Sequence, residues 1–315
     1  MSPLMIQLND CREIPWLGFG TGTRLLRQDA SALVANAIAH GIVHLDTAQL
    51  YENEESLGAG IALSGAPREK LFVTTKVADL PEGKTVRESF MESLARLQLD
   101  YVDLFLIHTP NRSLKGRLQE AWKELEQLQK EGLAKSIGVS NFRIQDLQEV
   151  LEVASVVPAV NQVGGEGLSS SIEYHPYVYK ATKPVLEFMK KHNILPTSYG
   201  GLIPITLQKG GPVDPVLVSI RERLEKETGQ QVTEGQVLGL WLRKQGIPQI
   251  TTSSKLERVK EYIATESLPD LTSEEMDKIY AEGSKHHFRR YVSCGRSFNT
   301  LLTADTLLQA RWIDQ

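Results

Sequence analysis

Short β-branched segments alternate with longer amphipathic segments along most of the chain, and this alternation limits the possible folds more than any other feature. Strands that alternate with helical crossovers form parallel βα units. The sequence predicts eight such strands, which are Leu17–Gly20, Ile42–Leu45, Leu71–Thr75, Val102–Ile107, Ala134–Val139, Ala159–Gln162, Ile194–Tyr199 and Pro248–Thr251.

Between these strands, apolar residues recur three or four positions apart, which is typical of helices with one buried face. Eight strands with helical crossovers predict a (β/α)8 TIM barrel, an α/β fold, as one domain over residues 1–315. An earlier pair, Met5–Leu8 and Glu13–Trp16 around Asn9-Asp10, predicts a hairpin that plugs one barrel end. The helical segments include Val86–Leu97, Leu118–Glu131, Ile144–Ala154, Lys183–His192 and Thr233–Lys244.

Three segments depart from this rhythm. Gly164–Ser171 is rich in Gly and Ser and indicates a loop. Gly200–Thr228 is too long for an ordinary βα connection, and we expect a lid or binding loop there. Residues 284–315 form a C-terminal tail with aromatic residues and no clear period. Because long loops of a barrel gather at its catalytic face, we expect the tail to cover the mouth.

Composition excludes several classes of function. Apolar residues make up 41% of the 315 residues and charged residues 23%, which is typical of a globular protein. The chain has 35 Lys and Arg against 39 Asp and Glu, a net charge of -4, so no basic surplus favours nucleic acid or an anionic membrane. The longest uncharged stretch, His192–Gln208, contains two prolines, so no membrane span is predicted.

Cysteine content predicts a reducing compartment. Cys11 and Cys294 are too few for a disulfide framework and too far apart for a zinc motif. His286 and His287 in the tail match no zinc spacing either, so no metal is expected. Residues 1–12 carry no signal-peptide pattern, and we therefore expect a cytoplasmic protein.

Four ionisable residues lie at the ends of three successive predicted strands. Asp46 and Tyr51 follow the second strand, Lys76 closes the third and His108 closes the fourth. Each alone is ordinary, since a strand-end Lys or Asp is usually solvated and a lone His is usually a satisfied core residue. Because the carboxyl ends of barrel strands meet at one mouth, their coincidence favours a catalytic site.

These residue types suit proton donation to a carbonyl. A Tyr hydroxyl, whose pKa is about 10 when unperturbed, acts as an acid near neutral pH only if its pKa is lowered. A neighbouring Lys76 ammonium lowers it, Asp46 keeps the lysine charged, and His108 orients a substrate carbonyl. Such a set protonates an alkoxide as a hydride arrives.

The motifs around these residues resemble the aldo-keto reductase superfamily, over most of the chain. The pattern is similar to the fungal branch that reduces α-keto amides and conjugated polyketones. The motifs are His44-Leu-Asp-Thr-Ala-Gln-Leu-Tyr-Glu-Asn-Glu54, Tyr101-Val-Asp-Leu-Phe-Leu-Ile-His108, Gly132-Leu-Ala-Lys-Ser-Ile-Gly-Val-Ser-Asn-Phe142, Pro158-Ala-Val-Asn-Gln162 and Glu173-Tyr-His-Pro176.

The resemblance implies an NADPH-dependent carbonyl reductase that acts on a small-molecule substrate as a monomer or homodimer. Asp46, Tyr51, Lys76 and His108 match its catalytic tetrad, with Tyr51 as the acid. Ser140, Asn141 and Gln162 match residues that hold the nicotinamide carboxamide, and Tyr199 matches the tyrosine that stacks on its ring. The remaining matched cofactor residues are Thr21, Gly22, Asp46, Leu202, Ser253, Ser254, Lys255 and Arg258.

The eighth strand leads into a predicted phosphate site. Most members of the family have a lysine at the position of Thr252. The fungal branch resembles this chain, in which the lysine comes three residues later, as Lys255. Ser253 and Ser254 precede a helix whose N-terminus favours an anion, and Lys255 and Arg258 add cationic donors. This arrangement predicts NADP(H) rather than NAD(H), although a Ser N-cap with solvated charges has the same sequence pattern.

Three small residues, Gly22, Ala78 and Thr109, match positions where related reductases have aromatic side chains. They predict a wide pocket for bulky or dicarbonyl ketones, unless Trp16 or the tail aromatics fill it. A nine-residue insertion, Gly164–Ile172, has no assigned role. The alternative function is that of a cofactor-holding regulatory module, because potassium-channel β-subunits share this barrel.

Overall fold

The chain folds around a closed barrel of eight parallel strands. In this computed structural model the described residues are 3–78, 80–110, 114, 116–163 and 173–289. The barrel strands are β3 (Leu17–Gly20), β4 (His44–Asp46), β5 (Phe72–Val77), β6 (Val102–Ile107), β7 (Ala134–Ser140), β8 (Val160–Val163), β9 (Leu195–Tyr199) and β10 (Gln249–Thr251). Strand β10 pairs with both β9 and β3, which closes the ring, and the predicted (β/α)8 fold is confirmed.

Helices surround the barrel, with at least one between each pair of consecutive strands. Three of them begin at a Thr whose hydroxyl accepts from the backbone N–H three residues later, with a Glu or Gln side chain there accepting in return. The helices are α1 (Ser31–Ala39), α2 (Glu54–Ser64), α3 (Val86–Leu97), α4 (Leu118–Lys130), α5 (Ile144–Leu151), α6 (Tyr179–Lys191), α7 (Ile203–Thr206), α8 (Asp214–Thr228), α9 (Glu234–Lys244), α10 (Leu256–Ala264) and α11 (Ser273–Gly283).

The predicted loop Gly200–Thr228 was wrong for most of its length. It contains α7 and the fifteen-residue helix α8, which buries Leu217, Ile220 and Leu224. These three residues lie three and four positions apart, so they form one apolar stripe facing the body of the protein. The helix ends at Gly229, whose φ of +67° is favourable for glycine. The Gly-rich start of the segment concealed this period.

The amino-terminal end of the barrel is closed by the predicted hairpin. Strands β1 (Met5–Gln7) and β2 (Glu13–Pro15) pair in antiparallel register. Ile14 from this hairpin is fully buried in a cluster that is separate from the main core. The cluster consists of Leu8, Ile14, Phe72, Leu104, Leu106, Ala159 and Val160. Since parallel strands all run the same way, the carboxyl ends open together at the opposite end.

Candidate active site

Four residues predicted for catalysis come from consecutive segments at the barrel mouth. Asp46 is the last residue of β4, Lys76 lies in β5, and His108 directly follows β6. Tyr51 ends a short 3-10 turn, Gln49–Tyr51, that leaves the sheet after β4. Asp46, Lys76 and His108 are buried, and Tyr51 is half-buried.

Asp46 and Lys76 form a buried ion pair. Lys76 Nζ donates to Asp46 Oδ1 over 2.6 Å and to the Thr47 carbonyl over 2.8 Å. Burial lowers the pKa of Lys76, and the Asp46 carboxylate opposes this shift by favouring the ammonium. Removal of either partner would leave an uncompensated charge in the interior, which is strongly destabilising.

The Tyr51 ring lies between a cation and an imidazole. Lys76 Nζ is 5.1 Å from the centre of the ring. The His108 ring meets it edge to face, with 5.5 Å between the ring centres. These contacts bring the four residues into one group, as the sequence predicted from their strand-end positions.

The turn that carries Tyr51 is fixed by residues whose roles the sequence analysis did not identify. Asn53 Nδ2 donates to the carbonyls of Thr21 and Leu25, each over 2.8 Å, and its Oδ1 accepts from the hydroxyls of Thr21 and Thr47. Thr21 N also donates to the Asp46 carbonyl. Asn53 belongs to the same sequence motif as Asp46 and Tyr51, and this motif is the sequence feature that could have indicated its role.

Ser140, Asn141 and Gln162 form a second polar group beside the first. Gln162 Nε2 donates to Asp46 Oδ2 over 2.8 Å, while Ser140 Oγ donates to the Gln162 carbonyl over 2.9 Å. Asn141 has a φ of +62°, a left-handed conformation that Asn tolerates better than most residues. Its Nδ2 donates to the His108 carbonyl over 2.9 Å, which links this group to the end of β6.

The Asn141 side chain retains one acceptor atom. Its Oδ1 is buried, and no described residue donates to it. Buried polar atoms are usually paired, so an orphaned acceptor at the mouth fits a ligand that carries an N–H donor. The carboxamide of a nicotinamide has such a donor.

The predicted phosphate site lies between β10 and α10. The Thr252 hydroxyl donates to the Gly20 carbonyl over 2.6 Å, so Thr252 is tied to the barrel. Ser253 Oγ accepts from Lys255 N over 3.0 Å, and Lys255 rather than a serine is the N-cap of α10. The Lys255 side chain makes no capping hydrogen bond to the helix. Arg258 lies in its first turn, so a cation accompanies the helix N-terminus.

A groove of about 450 Å³ extends from this region. Leu202 and Arg258, both predicted cofactor contacts, line it together with Glu261 and Tyr262. Tyr199 lies at the end of β9 beside Ile250 of β10. The structure therefore places Tyr199, Leu202 and Arg258, three predicted cofactor contacts, on β9 and on the segments that follow β9 and β10.

The surroundings of Gly22 differ from those that the sequence predicted. We expected open space beside it, but a Cβ atom there would lie 2.9 Å from Tyr51 Cζ and 3.2 Å from its hydroxyl oxygen. The Tyr51 ring therefore occupies the space that a side chain at this position would need. Ala78 and Thr109 are half-buried, and Trp16 is fully buried and close to Gly239 of α9 rather than at the mouth.

Two predictions lie wholly or largely outside the described residues. The insertion Gly164–Ile172 is one, and the tail from residue 290 onward is the other. Within the described part of the tail, His286 Nε2 lies 2.9 Å from Gln208 Oε1, and the ring of His286 packs edge to face on Tyr177. Phe288 packs against the main core.

Among the described residues, no helix combines the length and apolar character needed to cross a bilayer. The same part of the chain has no group of three or more His, Cys, Asp or Glu residues that could hold a metal ion.

Comparison with known proteins gives one consistent family. The model of the aldo/keto reductase family matches residues 16–281. The NAD/NADP-dependent indole-3-acetaldehyde reductase of Schizosaccharomyces pombe is 36% identical over 289 residues, covering 89% of this chain and 95% of that protein. The NADPH-dependent alpha-keto amide reductase of Saccharomyces cerevisiae is 35% identical over 297 residues, covering 89% and 90%.

A solved structure agrees with the sequence comparison. The crystal structure of a Bombyx mori aldo-keto reductase in complex with NADP superposes with a TM-score of 0.74 at 30% identity. The superposition covers 89% of this chain and 93% of that one.

Proposed function

Because the chain belongs to the aldo/keto reductase family, and is thus an oxidoreductase, we propose that it reduces aldehydes and ketones with NADPH, with Tyr51 as the general acid. One observation carries the proposal. A Tyr hydroxyl group, a buried Lys76–Asp46 pair and His108 meet at the barrel mouth, with 5.1 Å from Lys76 Nζ to the Tyr51 ring centre. A cation and an imidazole beside a tyrosine are the groups that proton donation to a carbonyl oxygen would use.

The buried Asn141 Oδ1 and the N-terminus of α10, with Lys255 as its N-cap and Arg258 in its first turn, fit the two ends of a nicotinamide dinucleotide. Asn141, Ser140 and Gln162 would hold the carboxamide, and Tyr199 would stack on the ring. Lys255 and Arg258 would meet the 2'-phosphate, with Ser253, Ser254 and Leu202 nearby. When bound, the cofactor supplies a hydride to the carbonyl carbon.

The protein's own residues handle the proton. The Tyr51 hydroxyl donates its proton to the substrate oxygen as negative charge develops there. The Lys76 ammonium stabilises the resulting tyrosinate, and Asp46 keeps that lysine charged against the effect of burial. The His108 side chain orients the substrate carbonyl by a hydrogen bond.

We further propose that activated ketones, such as α-keto amides, α-keto esters and conjugated diketones, are preferred. Ala78 and Thr109 are small side chains at the mouth, and an adjacent carbonyl makes the attacked carbon more electrophilic. The Ala78→Trp variant tests the pocket argument, because an overfilled pocket excludes large substrates and spares small ones. If this variant reduces a conjugated polyketone as well as the parent does, Ala78 does not line the pocket.

A cofactor-oxidation assay tests the function itself. The purified chain is mixed with NADPH or NADH and a panel of aldehydes, simple ketones, α-keto esters and diketones. We expect repeated turnovers, faster with NADPH and fastest with a dicarbonyl compound. Tight cofactor binding without turnover on any of these compounds would instead favour a regulatory module.

A further inference from the structure

The side chain of Gln49 forms a bridge between three parts of the mouth. It lies at the start of the turn that ends in Tyr51. Its Oε1 accepts from Ala78 N over 2.8 Å and from Ser89 Oγ over 3.0 Å. Its Nε2 donates to the Ser89 carbonyl over 3.0 Å and to Ser93 Oγ over 2.8 Å.

These four hydrogen bonds use the full capacity of the amide, two as acceptor and two as donor. A fully satisfied amide has one orientation, since rotation by half a turn would place donors against donors. Two of the partners, Ser89 and Ser93, are buried on α3. Gln49 is therefore held rigidly although its side chain is only half-buried.

The bridge stands where strand pairing has stopped. The ladder between β4 and β5 ends at Asp46 and Thr74, with one more hydrogen bond from Thr47 N to the Thr74 carbonyl. Beyond it, the Tyr51 turn leaves the sheet while β5 continues through Lys76 to Val77. The contact from Gln49 to Ala78 N thus joins the turn to the strand that carries Lys76.

The other side of the turn is anchored to different elements. Asn53 binds the carbonyls of Thr21 and Leu25, and Arg27 N donates to the Tyr51 carbonyl over 2.9 Å. Those contacts fix Tyr51 relative to the segment after β3. They reach β5 only indirectly, because the Thr47 hydroxyl donates to Asn53 Oδ1 while its carbonyl accepts from Lys76 Nζ. On the far side of Tyr51, Thr75 Oγ1 donates to Glu54 Oε1 over 2.6 Å. Gln49 adds a direct contact from the Tyr51 turn itself to the end of β5, and proton donation depends on that side because Lys76 lies there.

We propose that Gln49 is a positioning residue, which holds the Tyr51 hydroxyl at its working distance from the Lys76 ammonium by tying the Tyr51 turn to Ala78 and α3. This inference rests on the proposed function, because it assigns Gln49 a role through Tyr51. Displacement of a reacting group by about 1 Å costs on the order of 100-fold in rate.

The test compares Gln49→Met, which has similar length and no hydrogen bonds, with the parent and with Gln119→Met. Gln119 is also half-buried and also donates to a backbone carbonyl and a side chain, but on α4. We expect Gln49→Met to lower kcat about 10- to 100-fold while the KM and the cofactor Kd change less than about 2-fold. Gln119→Met should match the parent.

The pH dependence separates positioning from mere stabilisation. Reduction needs a protonated Tyr51, so kcat falls at alkaline pH as the hydroxyl ionises. A tyrosine farther from the ammonium ionises at higher pH. We therefore expect this alkaline fall to move upward by about half a pH unit or more in Gln49→Met. A lower melting temperature with unchanged kcat and unchanged pH profile would overturn the proposal.

Two further measurements keep the outcome decisive. If Gln49→Met does not fold, Ser89→Ala removes only one hydroxyl donor to Gln49, and its kcat should fall about 2- to 5-fold in the same manner. An unchanged Ser89→Ala would then contradict the proposal. Ultraviolet titration of phenolate, taken as the difference from a Tyr51→Phe background, reports Tyr51 ionisation without turnover. A parent without activity would refute the proposed function alone, while an unshifted titration in Gln49→Met would refute the role of Gln49.

Discussion

The two ends of the barrel bury their side chains for opposite purposes. At the amino-terminal end, the hairpin residue Ile14 packs into an apolar cluster with Phe72 and Leu104. At the carboxyl-terminal end, Asp46 and Lys76 are just as thoroughly buried, but they are charged. Apolar burial stabilises by removing surface from water, whereas a buried ion pair roughly offsets its own desolvation cost.

This difference indicates how the fold divides stability from chemistry. The plugged end can be closed by any well-packed set of apolar residues, because it needs only volume and hydrophobicity. The open end needs particular groups at particular distances, such as Gln162 Nε2 at 2.8 Å from Asp46 Oδ2. Substitutions at the two ends should therefore have separable effects, on stability at one and on rate at the other.

The largest effect is expected from Tyr51→Phe at the open end. Loss of the general acid should lower kcat about 100- to 10,000-fold, while the melting temperature and NADPH affinity stay close to the parent. The matched control is Tyr101→Phe near the closed end, where the ring packs under Arg68 and Lys135. Steady-state and single-turnover rates provide the measurement. A Tyr51→Phe enzyme with more than half the parent rate, with chemistry rate-limiting, contradicts the assignment of the acid.

The converse substitution at the closed end is Ile14→Ala. Truncation of a fully buried Ile should lower the free energy of unfolding by about 2 to 5 kcal/mol, with kcat unchanged below the unfolding temperature. Met5→Ala on the same hairpin is the control, since Met5 is 38% exposed and should lose much less. Urea denaturation gives the free energies. A fall in kcat comparable to that in Tyr51→Phe would show that the two ends are not independent.

The features of the two barrel ends that depend on local sequence pattern were predictable. Strand number, the closing hairpin and the strand-end positions of Asp46, Lys76 and His108 all follow from local periodicity, and the structure brings these residues together. The roles assigned to them remain predictions.

Contacts between distant segments were not predictable in the same way. The four hydrogen bonds of Gln49 join the turn after β4 to β5 and α3, and the Tyr51 ring fills the space beside Gly22. Neither contact produces a periodic pattern in the sequence, because each depends on how elements that are distant along the chain pack together. Helix α8 was missed for another reason, since a Gly- and Pro-containing start concealed its apolar stripe.

A third substitution, of Lys255, tests whether the residues of the open end that select the cofactor are separate from those that carry out the reaction. Lys255→Ala should weaken NADPH binding about 10- to 150-fold and NADH binding far less, since only NADPH carries the 2'-phosphate. Lys260→Ala, an exposed lysine on the same helix, is the control. Fluorescence titration with both cofactors measures the affinities. Equal losses for both would mean that Lys255 supports the fold or contacts shared parts of the cofactor.

The smallest expected effect concerns His44, a buried polar residue beside the apolar cluster of the closed end. Its Nε2 lies 3.1 Å from Thr74 Oγ1, and its ring meets Phe72 edge to face. Burial lowers the pKa of His44 from 6.5 to about 4. The unfolded chain therefore binds a proton at this site at a higher pH than the folded protein does, and stability falls as the pH drops from 6.5 towards 4.

The share of this loss due to His44 should be about 2 kcal/mol at pH 5. His44→Gln keeps a polar group beside Thr74 and removes the titration, so its unfolding free energy should fall less than that of the parent between pH 7 and pH 5. Urea denaturation at both pH values, with His40→Gln on the half-exposed end of α1 as control, measures the difference. Parallel curves for His44→Gln and the parent would mean that His44 is protonated in the folded protein or hydrated at this end. The closed end would then be less dry than its apolar cluster indicates.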